Sequence, residues 1–380
     1  MRTALLDDAI ATVAPIVADV RARGDEALLE WTETFDGSRP AGIRVSRDAI
    51  ATARVDDDVH GALLKMIAAV RAFTDAQRPL DTRVEAAPGI VSERRWLPLG
   101  AVGCCVPSGR SPLPSSLVMT AVPAITAGVA RIVVVTPNPV DATLVVAREL
   151  GIEEIYAVGG AQAVAALAYG TETIARVDRI VGPGNAYVTA AKLLVSSVVG
   201  IDLPAGPSEV VVIADASASP EQVAADLLAQ AEHGDDSDAL LLSPDAPLLA
   251  AVRSLVETAA NVKLEQVESL GEAVTRANEY APEHLELHVA DPQSLVPLIR
   301  NAGAVFVGCS SVLGDYAAGA THVLPTSGLA RSVGGLGIEA YLKPVQFVRA
   351  TPDGVREAAD VVGPIARVEG LPLHAAAVAG

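Results

Sequence analysis

From Gly100 onward, short runs of β-branched and aliphatic residues alternate with alanine-rich helical segments, and this alternation restricts the chain to a narrow set of folds. Residues 132–135 read as a strand and 141–150 as a helix; 155–158 and 161–169 repeat the pair. Residues 180–181 close a strand before a helix over 186–199, and 209–213 is a strand again. Strands separated by helices predict a mostly parallel sheet covered on both faces. A second alternating set follows. Ser219-Pro220-Glu221-Gln222 is a capping box with proline at the first helical position, and it opens a helix running through His233. Residues 240–242, 247–259 and 304–307 then read as strand, helix and strand. The expected fold class is α/β, with two Rossmann-like parallel-sheet halves. Gly182-Pro183-Gly184-Asn185 has proline between its glycines and lacks a third glycine, so a dinucleotide bound here would not use the usual G-x-G-x-x-G fingerprint.

The chain before Gly100 is helical in pattern. Ala9, Ile10, Val13, Ile16, Val17 and Val20 recur at helix spacing. Residues 25–35 continue it, and 48–74 form another long pattern with Leu63, Leu64, Ile67 and Val70 on one side. Beyond Gly337 the regularity fades, with a short helical stretch over 353–359 before Glu369 and His374. At 380 residues the chain exceeds one ordinary core and suits two or three domains. Aromatics are only 3% of a sequence that is 51% hydrophobic, so the cores must be packed from Ala, Val, Leu and Ile. A net charge of −18 argues against general binding of nucleic acid or an anionic membrane, which are polyanions. The longest apolar stretch, 117–135, is interrupted by Thr120, Pro123, Thr126, Gly128 and Arg131 and is a poor membrane span. Asp7 and Asp8 break any signal-peptide core. Cys104, Cys105 and Cys309 contain no C-x-x-C pair, and adjacent cysteines rarely form a structural disulfide. The expected compartment is the reducing cytoplasm.

Several polar stretches have the composition of a metal-dependent, proton-moving site. Gln230 and His233 are three apart on the capped helix and share a face, where an amide oxygen and an imidazole can hold a borderline metal; taken alone, the pair also fits a wet helix end. Glu283-His284 offers an acid and an imidazole as separate proton handlers, or else a helix N-terminus favoured by the dipole. Asp315 sits in a Gly-flanked segment typical of turns, and His322 in a loop-like stretch. Pro204-Ala205-Gly206-Pro207 can simply set a turn, with Ser208 as its hydrogen-bonding residue or a substrate contact. Gly159-Gly160-Ala161-Gln162 precedes a helix whose amides can receive phosphate, and Asn185 stands at another helix start, where an N-cap is the plainer role. His374 lies near the chain end, where segments fray unless docked.

Together, GGAQAVAALAYGTE, VDRIVGPGNAYVTAAK, GIDLPAGPSEVVVIAD, DLLAQAEH, YAPEHLELHV and GDYAAGATHVLPTSG resemble the signature regions of the histidinol dehydrogenase family, in that family's order and over nearly the whole chain. The resemblance implies a zinc-containing, NAD-dependent, domain-swapped homodimer that oxidises the amino alcohol L-histidinol through the aldehyde to L-histidine. It assigns zinc to Gln230, His233, Asp315 and His374, the last reaching the neighbouring subunit's site. It matches Glu283 and His284 to the acid/base pair; Ser208, His322 and Glu369 to substrate contacts; and Gln162 and Asn185 to cofactor contacts. It also implies that residues 1–104 and 211–335 form a discontinuous domain with the N-terminal helices and the catalytic groups. Residues 105–210 would be an inserted NAD-contacting domain, and 336–380 a C-terminal helical extension.

The chain departs from that family pattern in places. Cys105 stands where an aromatic ring usually contacts the cofactor, removing a stacking surface, and Ser108 replaces a glycine. The loop before Asp315 is shortened, and Thr321 replaces the common asparagine before His322. The alternatives are a related zinc dehydrogenase for another amino alcohol or a small polar diol, or a non-catalytic metal-binding relative. Retention of both Glu283 and His284 opposes the latter, because a binding protein needs no proton carriers. A purely structural α/β oligomer does not explain the metal set.

Overall fold

The computed structural model describes residues 2–37, 39–40, 42–108, 111–204 and 206–378; Ala205, named above, lies outside them. In chain order, α1 (Arg2–Arg23), α2 (Asp25–Asp36), α3 (Arg47–Thr52) and α4 (Asp57–Ala76) precede β1 (Thr82–Ala87) and β2 (Ile90–Pro98). The first alternating set is β3 (Ala101–Cys105), α5 (Pro114–Ala127), β4 (Arg131–Val135), α6 (Asp141–Glu149), β5 (Glu154–Tyr156), α7 (Gly160–Tyr169), β6 (Arg179–Val181), α8 (Ala186–Val195) and β7 (Gly200–Ile201). The second is β8 (Glu209–Ala214), α9 (Pro220–Ala231), β9 (Asp238–Ser243), α10 (Ala246–Leu255), β10 (Val262–Gln266), α11 (Leu270–Tyr280), β11 (His284–His288), β12 (Ala304–Val307) and α12 (Val312–Tyr316). The chain ends with β13 (Leu342–Ala350), α13 (Pro352–Val368) and α14 (Pro372–Ala376).

Two compact units result: residues 1–77 with 99–341, and residues 78–98 with 342–380. The first contains two wholly parallel five-stranded sheets, ordered β5-β4-β3-β6-β7 and β10-β9-β8-β11-β12. Each is doubly wound, with its order reversing between its first and fourth strands, β3/β6 and β8/β11. In the second sheet, Val210, Val212 and Ala214 pack with Val223 and Leu227 of α9, while Val211, Ile213, Leu285 and Leu287 pack on the opposite face with Val274 of α11. His284, Glu286 and His288 alternate with those leucines and pair in register with Val210, Val212 and Ala214, so all three lie on the α9 face.

The N-terminal helices do not join the second sheet as the expected domain boundaries had them. Val13, Val17 and Val20 of α1 share a core with Val133, Val135 and Ile180 of the first sheet and with the alanine-rich faces of α7 and α8. Helix periodicity shows that α1 has an apolar stripe but not which surface the stripe meets. The alanines of α7 admit a close-packed neighbour, and α1 fills that place. The expected helix over 48–74 is two helices: Ala53 leaves α3 in an extended conformation, and Asp56 begins α4 with acidic residues suited to a helix start.

The second unit is a three-stranded antiparallel sheet, β1-β2-β13, followed by α13 and α14, and is therefore not a purely helical extension. β1 is exposed along its length, so it lacks the alternating pattern that marks a half-buried strand. Pro88-Gly89, with Gly89 at φ 69°, forms its turn. The short helix expected over 353–359 runs on to Val368 through Pro364; the carbonyl that proline leaves unpaired belongs to Asp360, an exposed residue.

Candidate active site

The site is assembled at the amino ends of β8 and β11. Ser208 directly precedes β8, Glu283 directly precedes β11, and His284 opens that strand. Because the two strands are neighbours, Ser208 Oγ donates to Glu283 Oε2 at 2.7 Å, and the Glu209 N–H donates to the same oxygen at 3.0 Å. α9 runs back across the sheet, so its last turn presents Gln230, with Oε1 3.4 Å from Ser208 Oγ. Sites in doubly wound sheets usually gather at the carboxyl ends of the strands, and this one lies at the opposite edge. Glu283 thus directly precedes a strand, so the pair does not stand at a helix N-terminus.

Burial pushes the Glu283 carboxyl up to about 7, against the opposing hydrogen bonds from Ser208 and Glu209. That places it where a proton can move either way at neutral pH. A folded-state pKa above the usual 4.5 contributes stability that is fully present below that value and lost as pH rises through about 7. We expect Glu283→Gln to remove this loss: the unfolding free energy of the metal-free variant, measured in urea at pH 4.5 and pH 8, gains about 3 kcal/mol on wild type across the interval. A constant difference between the two proteins at both pH values would exclude a buried, proton-holding Glu283.

His284 Nδ1 lies 3.1 Å from the Glu209 carbonyl, which can only accept, so Nδ1 carries the proton and Nε2 keeps the lone pair. Burial lowers its pKa, leaving a neutral imidazole. Asp315, on α12, is raised by burial while His284 and His233 hold it down, and its Oδ1 lies 3.7 Å from His322 Nδ1. Burial pushes His322 down to about 4, and its Nε2 is 3.5 Å from Ser116 Oγ on α5. His233 lies just past α9 rather than within it and is exposed, with its N–H bonded to the Gln230 carbonyl; its charge acts on Glu283, His284, Asp315 and His322. Six of the residues named from sequence as metal, acid/base or substrate groups, together with Ser208, thus converge here. Glu369 and His374 belong to the second unit, where both are exposed: Glu369 caps α13 and His374 sits on α14.

The donor set fits a metal. Gln230 is 4% exposed and its amide nitrogen has no partner. Turning the amide over leaves an unpartnered oxygen instead, while the nitrogen faces the Ser208 hydroxyl. The first sheet supplies the cofactor candidates. Cys105 ends β3 at that sheet's switch point, and burial pushes its thiol up to about 12, so it forms an apolar wall rather than a thiolate. Gly182, at the end of neighbouring β6, has φ 110°, and a Cβ there would lie 2.3 Å from the Cys105 carbonyl oxygen. Gln162, on α7, is buried with Oε1 unpartnered. Asn185 Oδ1 accepts from the Tyr187 and Val188 amides and so is the N-cap of α8. Ser116 links this half to His322, because α5 follows the loop that leaves Cys105.

Sequence reading missed three groups. Glu209 is fully buried, and its carbonyl fixes His284; a backbone role leaves no mark on residue type. Lys192 and Asp202 form a buried ion pair, signalled only by a lysine in the apolar run of α8. Asp226, Glu286 and His288 form a close group whose ligand-type atoms lie within 4.8 Å of one another, and it is not the expected zinc set. Period-2 spacing from His284 and the four-residue step back from Gln230 were its available signals.

Paired doubly wound sheets with a buried carboxylic acid, a neutral imidazole and a metal-competent polar set mark the class: an α/β protein equipped to hold a metal and move protons. The histidinol dehydrogenase family model matches residues 2–380. The histidinol dehydrogenase of Photobacterium profundum is 44% identical, over 97% of this chain and 88% of its own length, and that of Rhizobium meliloti is 46% identical over 98% and 92%. The crystal structure of histidinol dehydrogenase from Elizabethkingia anophelis superposes with a TM-score of 0.91 at 36% identity, covering 97% of this chain and 90% of that one. The chain belongs to the histidinol dehydrogenase family. The family is zinc-binding and NAD-dependent and oxidises histidinol to histidine in histidine biosynthesis; these likenesses lend no support to another amino alcohol or to a non-catalytic relative.

Proposed function

We propose that this chain oxidises L-histidinol to L-histidine through L-histidinal in the cytoplasm as a homodimer. Gln230, His233 and Asp315 would hold zinc together with His374 of the partner subunit, and Glu283 and His284 would carry protons. The convergence of Ser208, Gln230, Glu283, His284, Asp315 and His322 at one sheet edge supports the reading above all else. Bound zinc would orient the nitrogen donors of the substrate, and bound NAD would take up the hydride of each oxidation.

The chain's own groups do the rest. His284 takes the hydroxyl proton on Nε2, the nitrogen left basic by the Glu209 carbonyl. Glu283 takes a proton from the water that adds to the aldehyde, and the Ser208 hydroxyl holds its carboxylate in place. Neutral His322 contacts the substrate as a hydrogen-bonding group, as does Glu369 of the partner subunit. Gln162 and Asn185 face the cofactor, with Cys105 as a wall. Apolar exposure supports a second copy as partner: Val361 is 61% exposed, Ile365 52%, Val368 90% and Leu373 81%.

Hybrid dimers provide the test. His374→Ala and His284→Ala dimers should each form NADH from L-histidinol at no more than about 1% of the wild-type rate. Randomly exchanged subunits should recover about a quarter of wild-type turnover, because half the dimers then carry one intact site. The recovered activity should yield two NADH per histidine. Verified hybrids without turnover would exclude a site shared between subunits.

A further inference from the structure

Asp226, Glu286 and His288 take no part in the proton steps above, yet they join the elements that carry those steps. Asp226 lies one turn before Gln230 on α9, and Glu286 and His288 follow His284 on the same face of β11. His288 Nε2 is 3.1 Å from Glu286 Oε2 and 3.2 Å from Asp226 Oδ2. The other oxygen of Glu286 accepts the Ser311 N–H at 2.6 Å, directly before α12 and Asp315. Ser310 adds a hydrogen bond to Asp226. Three elements, bearing Gln230, Glu283-His284 and Asp315, thus meet in one buried polar group.

We propose that Asp226, Glu286 and His288 are positioning residues: a hub that locks α9, β11 and the start of α12 into the register the metal and proton-transfer groups require. The proposal rests on the site reading given above. Two buried carboxylates repel each other, and a shared imidazolium is what lets them sit together. Asp226 and then Glu286 push the His288 pKa up to about 9, so the hub is charged at neutral pH. His288 Nε2 and both oxygens of Glu286 are engaged within the protein, while Asp226 Oδ2 has only its ion pair with His288. Outer-shell groups that orient ligands commonly change metal affinity ten- to a hundredfold when removed.

The test uses His288→Leu, Glu286→Gln and His288→Gln, the last keeping N–H donors for both carboxylates. Hydrogen exchange of the metal-free full-length dimer should rise at least about tenfold across 310–316 and 226–233 in the first two variants and return toward wild type in the third. Zinc affinity, by competition with a chelator, should fall about ten- to a hundredfold in the first two and recover in the third. Wild-type exchange in a folded Glu286→Gln or His288→Leu protein overturns the hub, whatever zinc does. So does loss of a second zinc equivalent in His288→Leu with the 310–316 exchange unchanged, because the group is then a metal site itself. Wild-type zinc affinity in Asp315→Ala sinks the site reading, while the exchange result still judges the hub.

Discussion

Replacing His284 with alanine lowers turnover of L-histidinol by about 10²- to 10⁴-fold, the usual contribution of a positioned general base. Zinc content stays at the wild-type level, because the imidazole is tied to the Glu209 carbonyl through Nδ1 and presents only Nε2 to the substrate. The change appears in kcat rather than KM, since a base acting on the hydroxyl proton interacts chiefly in the transition state. Oxidation of supplied L-histidinal suffers less, because hydration of the aldehyde falls to Glu283. Steady-state kinetics with each substrate and zinc analysis of the same preparation check all of this. Equal losses on alcohol and aldehyde would assign both proton transfers to one residue and remove the division between His284 and Glu283.

That division shows what a sequence makes legible. Buried parallel strands are nearly pure aliphatic runs, such as Val210 to Ala214, and helices between them carry their own spacing, so the alternating α/β class was readable, while β3, β7, β10 and β11 were not read as strands. Glu283, His284, Asp315 and His322 could be singled out as candidates, but the residues alone left a helix start, a turn and a loop as equally plain readings, and only the family resemblance joined them. The different settings of Glu283 and His284 were not legible. They lie in two contacts of one neighbour: the Glu209 N–H on Glu283 and the Glu209 carbonyl on His284. Both are backbone groups brought close by strand pairing across 74 and 75 residues of chain. The hairpin from Thr82 to Pro98 was illegible for the opposite reason, since β1 is exposed throughout and β2 is half-buried without alternation, which leaves no period-2 pattern to read. The docking of α1 was hidden because an apolar stripe names no partner.

Replacing Lys192 with methionine destabilises the protein by about 3–5 kcal/mol, the range for stranding one charge of a buried pair. Lys192 is 2% exposed on α8 and is paired with Asp202, whose side chain is 1% exposed. Methionine keeps most of the stem volume, so the loss reports the charge rather than a cavity. The pair also holds Gly182 by both polar groups of its backbone: Lys192 Nζ donates to its carbonyl at 2.9 Å, and Asp202 Oδ2 accepts its N–H at 2.6 Å. Gly182 stands at the switch point of the first sheet in a conformation that leaves no room for a side chain against Cys105. NAD affinity should therefore fall together with stability, at unchanged zinc content. Adding Asp202→Asn to Lys192→Met should restore part of the stability, because no unpaired charge remains, but not the NAD affinity, because the Gly182 carbonyl still lacks its donor. Urea unfolding and calorimetric NAD titration of the single and double variants separate the two effects. Recovery of both together would mean that the pair serves stability alone.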